Sequence, residues 1–233
     1  MRYPDASTFQ NIIMWAAGVQ GPTAPPGAYS VRMKVNGVTQ SESFRIVKDP
    51  RSKATQAELE DQFAFLMKVR DETSKANDAV KLVRSIRAQV ADRISKLPEG
   101  KRDAFRVSSG ALLTTIAESE RHIYQTQNQS NQDPLNYPIR LNNKIAALAG
   151  VASSTDARPT DQTREVLAIL SRQLDGHVQR IRTALSQSLP ALNRELASSR
   201  LAPIVESTAE APASTPRTAP NAGIDHEEND GST

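Results

Sequence analysis

Residues 29 to 46 alternate between apolar and polar positions around a two-residue turn, Asn36-Gly37. Such alternation on both sides of Asn-Gly predicts a β-hairpin. Two or three strands cannot bury an apolar face by themselves. We therefore expect the strands that complete the sheet to lie in the helical region, in another chain or upstream of Met1. The apolar positions are Tyr29, Val31, Met33 and Val35 in the first strand and Phe44 and Ile46 in the second.

The rest of residues 1 to 50 also indicates extended structure. The segment from Phe9 to Trp15 predicts one more strand, and a stiff connection rich in Gly and Pro follows at residues 21 to 27. In the simplest hairpin register, Gln40 and Glu42 share a face with the apolar residues of the first strand. The second strand is therefore predicted to be an edge strand or to carry a bulge.

A long amphipathic helix follows this β segment. Thr55-Gln56-Ala57-Glu58 has the pattern of a capping box, and Leu97-Pro98-Glu99-Gly100 ends the helix. Between them, apolar residues recur in steps of three and four for about 40 residues, or roughly 60 Å. The predicted apolar seam is Leu59, Phe63, Leu66, Val69, Ala76, Val80, Val83, Ile86, Val90, Ile94 and Leu97.

Three further helices are predicted, over residues 102 to 127, over residues 138 to 151, and from residue 159 onward. The polar run from Gln125 to Asp133 is predicted to be a loop, and Pro190 to break or restart the last helix. Short connections favour an antiparallel four-helix bundle over residues 51 to 201. Residues 202 to 233 have almost no large apolar side chain, so we expect a disordered tail. The fold class is α+β.

The composition favours a helical protein and excludes sites that depend on cysteine. The 233 residues are 38% hydrophobic but only 4% aromatic, which suits helices, and the absence of Cys excludes disulfides and thiolate sites. The first residues do not have the pattern of a signal peptide, since Arg2, Pro4 and Asp5 precede any apolar run. No stretch has the roughly 20 apolar residues of a membrane span.

Charge is distributed unevenly along the chain. From Pro203 onward there are six acidic residues and one basic residue, so the first 202 residues carry a net charge of +8 within the total of +3. This excess could attract nucleic acid or anionic lipid. However, the basic residues alternate with acids along the helices, as in Lys68, Arg70, Asp71 and Glu72, which favours solvated helix faces. We predict neither a nucleic-acid partner nor a membrane span.

Several segments resemble one known family, the C-terminal region of large bacterial proteins built on a sortilin-like β-propeller with BNR (Asp-box) repeats, often labelled glycosyl hydrolases. The likeness extends from residue 1 to about Leu201. The matching segments are Met1-Arg2-Tyr3-Pro4, Ile13-Met14-Trp15-Ala16-Ala17-Gly18, Gly21-Pro22, Ala24-Pro25-Pro26-Gly27, Phe44, Lys48-Asp49-Pro50-Arg51, Arg70-Asp71, Ala76-Asn77-Asp78-Ala79 and, most specific, Leu135-Asn136-Tyr137-Pro138-Ile139-Arg140-Leu141-Asn142-Asn143-Lys144.

The resemblance implies an origin for the hairpin. In such relatives a propeller comes first, then a β-sandwich whose last strands correspond to residues 1 to 50, and then the helices. Residues 1 to 50 are then an incomplete β-sandwich fragment, and the gene is either truncated or assigned an internal Met as its start. The propeller is not encoded here, so no active-site residue carries over. Relatives are typically exported, but nothing in these residues would direct export, so localisation stays open.

The histidines were considered as metal ligands. Glu118 and His122 lie four residues apart on a predicted helix, a spacing that can hold a metal. A closed site needs three or four ligands, and the sequence offers no third, so a hydrogen-bonded surface pair is the simpler interpretation. His177 stands alone, and His226 lies among acidic residues of the tail.

No catalytic motif emerges. Asp61, Asp71 and Asp78 lie along the long helix, where carboxylates usually face water rather than flank a sugar. There is no glycine-rich phosphate loop and no aromatic-basic pattern suited to bases. Ser108-Ser109-Gly110 lacks the strand and first glycine of a nucleophile elbow. We assign no catalytic, cofactor-binding or metal residue, and we expect no enzyme activity from this chain.

Two further features have both a binding and a structural interpretation. Trp15 could stack on a sugar, but its apolar neighbours favour a core anchor under the hairpin. The polar segment from Asn136 to Lys144 could bind a ligand, but Asn and Tyr side chains that pair with backbone groups at a helix start explain it more simply. The long helix could likewise recruit a partner helix, although packing within its own bundle is the simpler use of its seam.

Three functions remain. The first is a non-catalytic accessory module, the C-terminal region of a propeller protein, in which a protein partner or the upstream domain packs on residues 1 to 50. The second is a stand-alone helical adaptor or oligomerisation protein whose hairpin pairs across a homodimer. The third, a hydrolase site within the bundle, lacks recognisable chemistry.

Overall fold

The computed structural model describes residues 1 to 208, and in that range a two-stranded hairpin precedes four helices. The fold is therefore α+β, as predicted. In chain order the elements are β1 (Gly27–Val35), β2 (Val38–Ile46), α1 (Gln56–Lys96), α2 (Glu99–Ile123), a 3-10 turn (Asp133–Leu135), α3 (Leu141–Ala152) and α4 (Asp161–Ser198).

The predicted capping box begins α1. The hydroxyl of Thr55 accepts a hydrogen bond from the backbone N–H of Glu58 at 3.2 Å, and the carboxylate of Glu58 accepts one from the backbone N–H of Thr55 at 2.8 Å. These reciprocal bonds satisfy two N–H groups that a helix start would leave unpaired. The helix then runs for 41 residues, about 60 Å, to the turn at Leu97-Pro98.

The two longest helices, α1 and α4, run parallel. Asp61 pairs with Arg164 near their N-terminal ends, and Lys75 pairs with Asp175 further along both. α3 is antiparallel to α1, because Gln62 bonds to the carbonyl oxygen of Ala152, whereas Asn142 at the start of α3 bonds to Asn77.

α2 and α3 lie one after the other along the two long helices. α2 packs against the C-terminal half of α1, where Arg84 and Arg87 bond to Glu120, and α3 packs against the N-terminal half. α2 is antiparallel to α4, because Ser108 contacts Glu195 and His122 contacts His177. At most levels the bundle is therefore three helices thick.

One continuous apolar core joins all four helices. The seam predicted on α1 is buried in its second half, where Val80, Val83 and Ile86 have no exposed surface. The largest fully buried side chains are Phe65, Phe105, Ile86, Leu97, Leu112, Ile116, Ile123, Ile145, Leu174, Ile181, Leu185 and Leu196.

The predicted break at Pro190 is wrong, since α4 continues through this residue to Ser198. Pro190 is on the exposed side of the helix. The backbone bond that proline removes therefore leaves a carbonyl near solvent, where water can satisfy it. Leu189 and Leu192 remain buried on either side, and their packing holds the helix together.

The strand predicted from Phe9 to Trp15 does not form. Residues 1 to 26 instead fold back on themselves as irregular backbone, with a single β-bridge between Arg2 and Thr23. Gly21 is needed at this crossing, because a Cβ there would lie 2.0 Å from the carbonyl oxygen of Tyr3. The residues predicted as one β fragment are thus two units, an irregular N-terminal segment (residues 1–26) and the hairpin.

The boundary of the predicted disordered tail also shifts. Residues 202 to 206 pack against the C-terminal parts of α1 and α4, and Ile204 is buried in the core. Residues 209 to 233 of that predicted tail lie outside the described residues.

Candidate functional site

The hairpin is the candidate site, because its apolar face is open to solvent. β1 pairs with β2 in the simplest register, with Met33 opposite Gln40 and Val31 opposite Glu42, and without a bulge. Asn36 and Gly37 have φ values of 48° and 83°, as a type I′ turn requires. On one face, Val31, Met33, Val35 and Val38 are 54%, 56%, 53% and 64% exposed.

Among residues 1 to 208, no further strand pairs with the outer edge of either hairpin strand. Within the described chain, no Cα atom of either strand lies within 8 Å of a helix Cα atom. Each outer edge therefore presents unpaired backbone N–H and C=O groups, which can pair with a further strand. The opposite face carries Arg32, Lys34 and Arg45 among small polar residues, and its chemistry is cationic and hydrophilic.

Aromatic contacts fix the base of the hairpin. The rings of Tyr29 and Phe44 stack at 5.8 Å, and the Tyr29 hydroxyl donates to the carbonyl oxygen of Pro25 at 2.7 Å. Gln56, in the first turn of α1, donates to the carbonyl oxygen of Pro26 at 2.6 Å. Desolvation raises the pKa of the Tyr29 phenol, and the nearby Tyr3 and Glu60 raise it further. The hairpin is thus held at its base and free along its length.

An open cleft of about 530 Å³ lies beside this base. One wall comes from the N-terminal segment, from Ile46 at the end of β2 and from the residues after it, and the other comes from α1 and α3. Leu59, Phe63 and Leu66 of α1 contribute apolar surface to it. The cleft thus has both apolar and charged walls at the base of the hairpin.

The residues considered as metal ligands do not assemble into a site. The imidazole of His122 stacks on that of His177, with ring centroids 4.6 Å apart, and Glu118 faces solvent. Partial burial lowers the pKa of His177, and the neighbouring His122 and Arg180 lower it further. Nowhere in residues 1 to 208 do three His, Asp or Glu side chains come together as a metal site would require. His226 lies outside the described residues.

The three carboxylates considered for hydrolysis each have a local partner. Asp61 pairs with Arg164 at 2.6 Å, Asp71 pairs with Arg70 at 2.6 Å, and Asp78 accepts from Ser7 at 2.5 Å and pairs with Lys81. The Asp61 pair joins α1 to α4 and the Ser7 bond joins the N-terminal segment to α1, whereas the Arg70 and Lys81 pairs lie within α1. They give the carboxylates a structural use.

Ser108 and Ser109, which lack the sequence context of a nucleophile elbow, lie within α2. The hydroxyl of Ser109 is buried and donates to the carbonyl oxygen of Phe105, and the hydroxyl of Ser108 donates to Glu195 of α4. The element directly before α2 is the helix α1 and not a strand. Both hydroxyls act in helix packing.

Trp15 is not the core anchor that its neighbours predicted, because its side chain is 39% exposed. Its backbone is held instead: Asn143 accepts from the N–H of Trp15 at 2.7 Å and donates to its C=O at 2.9 Å. Asn142, buried beside it, bonds to Asn77 of α1. The polar segment around residues 136 to 144 thus supplies backbone partners, as the structural interpretation predicted for its Asn residues.

Phe9 is the anchor of the N-terminal segment. Its buried ring meets Tyr124 edge-on at 5.0 Å, and the guanidinium of Arg84 lies 4.6 Å above it. Glu120, whose side chain is 3% exposed, accepts from both Arg84 and Arg87. Sequence reasoning missed this cluster, since no short-range pattern connects residues so far apart in the chain.

Comparison of the chain with protein-family models, curated proteins and solved structures finds no match. None of the helices in the described part combines the length and apolar character needed to cross a membrane.

Proposed function

We propose that this chain is a non-catalytic accessory module that docks on a β-sheet of a partner domain through its hairpin. The observation that carries the proposal is the exposure of more than half of each of Val31, Met33, Val35 and Val38 on one face. These residues form an apolar stripe along β1 and the start of β2, beside Gln40 and Glu42, and exposed apolar surface of this kind marks interaction sites. The resemblance to the C-terminal region of sortilin-like β-propeller proteins supports a partner of β-sandwich type, encoded with a propeller.

Docking would use both the backbone and the side chains of the hairpin. A strand of the partner can pair with an outer edge, and the sheet to which it belongs can cover the apolar face. The turn at Asn36-Gly37 fixes the register of the two strands before any partner arrives. The turn therefore lowers the entropic cost of docking, although a marginally stable hairpin still becomes more ordered when a partner covers it.

A second candidate is a stand-alone helical adaptor or oligomerisation protein in which two hairpins pair. The outer edge of β2 favours it, because in the described part of the chain no further strand pairs with that edge. Glu42 lies at the centre of β2, so two antiparallel copies would pair off-centre to keep the like charges from lying opposite each other.

The first experiment is to read the DNA upstream of Met1. A continuous reading frame that encodes repeated Asp-box turns supports the accessory module, and the encoded polypeptide becomes the partner for binding measurements. Met33→Lys, on the apolar face, should weaken that binding by about tenfold or more. Ser30→Lys, on the opposite face of the same strand, is the matched control and should change binding by less than about twofold.

Other outcomes decide against the accessory module. Absence of upstream coding sequence, together with a concentration-dependent dimer that Met33→Lys dissociates in sedimentation, would favour the adaptor. Equal effects of Met33→Lys and Ser30→Lys on either association would show that the apolar face is not the docking surface.

A further inference from the structure

The last described residues form an extended segment across the C-terminal parts of α1 and α4. Asn193 of α4 accepts from the backbone N–H of Ile204 at 2.7 Å and donates to its C=O at 2.9 Å. Gln89 of α1 does the same for Val205, at 2.9 Å and 2.8 Å. Each side-chain amide thus satisfies both backbone groups of one residue, as the opposite residue of a hydrogen-bonded antiparallel pair would, and the two amides come from different helices.

An apolar socket and a cation complete this groove. The side chain of Ile204 is 1% exposed and belongs to the core of the bundle. Arg93 donates to the carbonyl oxygens of Ala202 at 2.7 Å and Pro203 at 3.4 Å. Pro203 disfavours the helical conformation in the residue before it. The groove therefore binds an extended backbone through hydrogen bonds and buries one aliphatic side chain.

The joint that leads into the segment has an unfavourable backbone conformation. Arg200 has a φ of 56°, in the left-handed region that favours glycine. It follows α4 in a Schellman arrangement, in which the N–H of Leu201 donates to the carbonyl oxygen of Leu196 at 3.1 Å. Opening this joint would release both Arg200 and the segment.

We propose that Gln89, Arg93 and Asn193 form a binding groove for an extended aliphatic peptide of a partner protein, and that residues 202 to 206 occupy it as a displaceable strap. Affinity comes from backbone pairing and specificity from the aliphatic socket, the division of roles found when a peptide adds to a sheet edge. Gln89 lies about 50 Å along α1 from Gln56 at the hairpin base. The proposal is independent of the function assigned to the hairpin.

The test uses the full chain with Ile204→Asp. The charged side chain is costly to bury, so the strap should leave its apolar site. The probe is a fluorescein-labelled peptide with the sequence of residues 199 to 206, followed by fluorescence anisotropy. It should bind this variant at least about tenfold more tightly than the unmodified chain, in which the tethered strap competes at high effective concentration. Adding Asn193→Leu should weaken binding by about tenfold or more. A peptide with Asp in place of Ile is the matched control and should not bind.

A second measurement covers the case in which Ile204→Asp unfolds the bundle, which circular dichroism would show. Excess unlabelled peptide added to the unmodified chain should accelerate hydrogen exchange at the amides of residues 204 and 205. The proposal is overturned if neither measurement responds to the peptide, or if binding ignores Asn193→Leu. It is also overturned if Ile204→Asp dissociates a dimer without creating peptide binding, because the groove would then serve exchange between copies.

Discussion

The hairpin and the helical bundle contain the same kinds of apolar side chain, but only the bundle buries them. Val80, Val83 and Ile86 on α1 are fully buried, whereas Val31, Val35 and Met33 on β1 remain more than half exposed. The helices cover one another because α1 has α2, α3 and α4 around it. The hairpin has no such cover within the described chain.

This difference is the basis of the proposal that the hairpin is a docking surface. Complete burial of an aliphatic side chain stabilises a fold by roughly 1.5 to 3 kcal/mol. Burial of its apolar side chains already stabilises the bundle in this way. A partner that covers the hairpin would bury several more such side chains, and that burial would stabilise the complex. An apolar face that folding leaves exposed is therefore available to binding.

The largest expected contrast comes from shortening one side chain in each region. Ile86→Ala should lower the free energy of unfolding by about 2 to 5 kcal/mol, because a cavity opens in a closed core. Val31→Ala should lower it by less than about 0.5 kcal/mol, since Val31 is exposed. Urea denaturation of both variants measures the contrast. Equal losses would mean that the hairpin is part of the cooperative core.

Removing the Glu120 carboxylate, which pairs with Arg84, tests whether the N-terminal segment depends on the bundle in a way that the hairpin does not. Glu120→Ala should lower the free energy of unfolding by about 1 to 3 kcal/mol, because two guanidinium groups lose their buried acceptor. Hydrogen exchange near Phe9 should accelerate, while exchange in the hairpin stays unchanged. Glu118→Ala, two residues earlier and exposed, is the control, with an effect within about 0.5 kcal/mol. A comparable loss in both variants would remove the role assigned to Glu120.

A smaller gain is expected at the end of α4. Arg200→Gly should raise the free energy of unfolding by about 0.4 to 1 kcal/mol, because glycine adopts a φ of 56° without strain. Ser199→Gly is the control, since Ser199 has an ordinary φ of −104° and gains nothing from glycine. Thermal melting compares the two. A loss of stability with Arg200→Gly would show that the arginine side chain outweighs its backbone strain.

The smallest effect concerns pH and is confined to the bundle. The pKa of His177 is lowered in the folded chain by partial burial, His122 and Arg180. Below the ordinary His pKa of about 6.5, the unfolded chain binds the proton first, so this residue favours unfolding as the pH falls. His177→Gln should reduce the difference in melting temperature between about pH 7.5 and about pH 5. If the difference in melting temperature between the two pH values is the same in His177→Gln, other groups cause the loss of stability in acid.

Local signals predicted much of the fold. The capping box at Thr55, the turn at Asn36-Gly37 and the stop at Pro98 each act within a few residues, and each is where the pattern placed it. The ends of the shorter helices were less accurate. α2 ends at Ile123 rather than near residue 127, because Tyr124 takes up an extended conformation and its hydroxyl accepts from the N–H of Ile13.

Tertiary contacts decided the parts that were missed. Phe9 is anchored by Arg84 and Tyr124, which are remote in sequence, so the segment around it gains more from these contacts than from pairing as a strand. The groove around Ile204 depends on Gln89 and Asn193, whose polar side chains look like ordinary solvated helix positions in the sequence. The hairpin, by contrast, was predictable both as an element and as an uncovered surface.

Hydrogen exchange of the unmodified chain, proven monomeric by sedimentation, tests the central claim most directly. We predict that backbone amides of residues 29 to 46 exchange much faster than those of residues 79 to 90, because an isolated two-stranded hairpin is only marginally stable. Phe9 and its neighbours should be intermediate. Slow exchange throughout the hairpin, matching that of α1, would contradict an uncovered docking element.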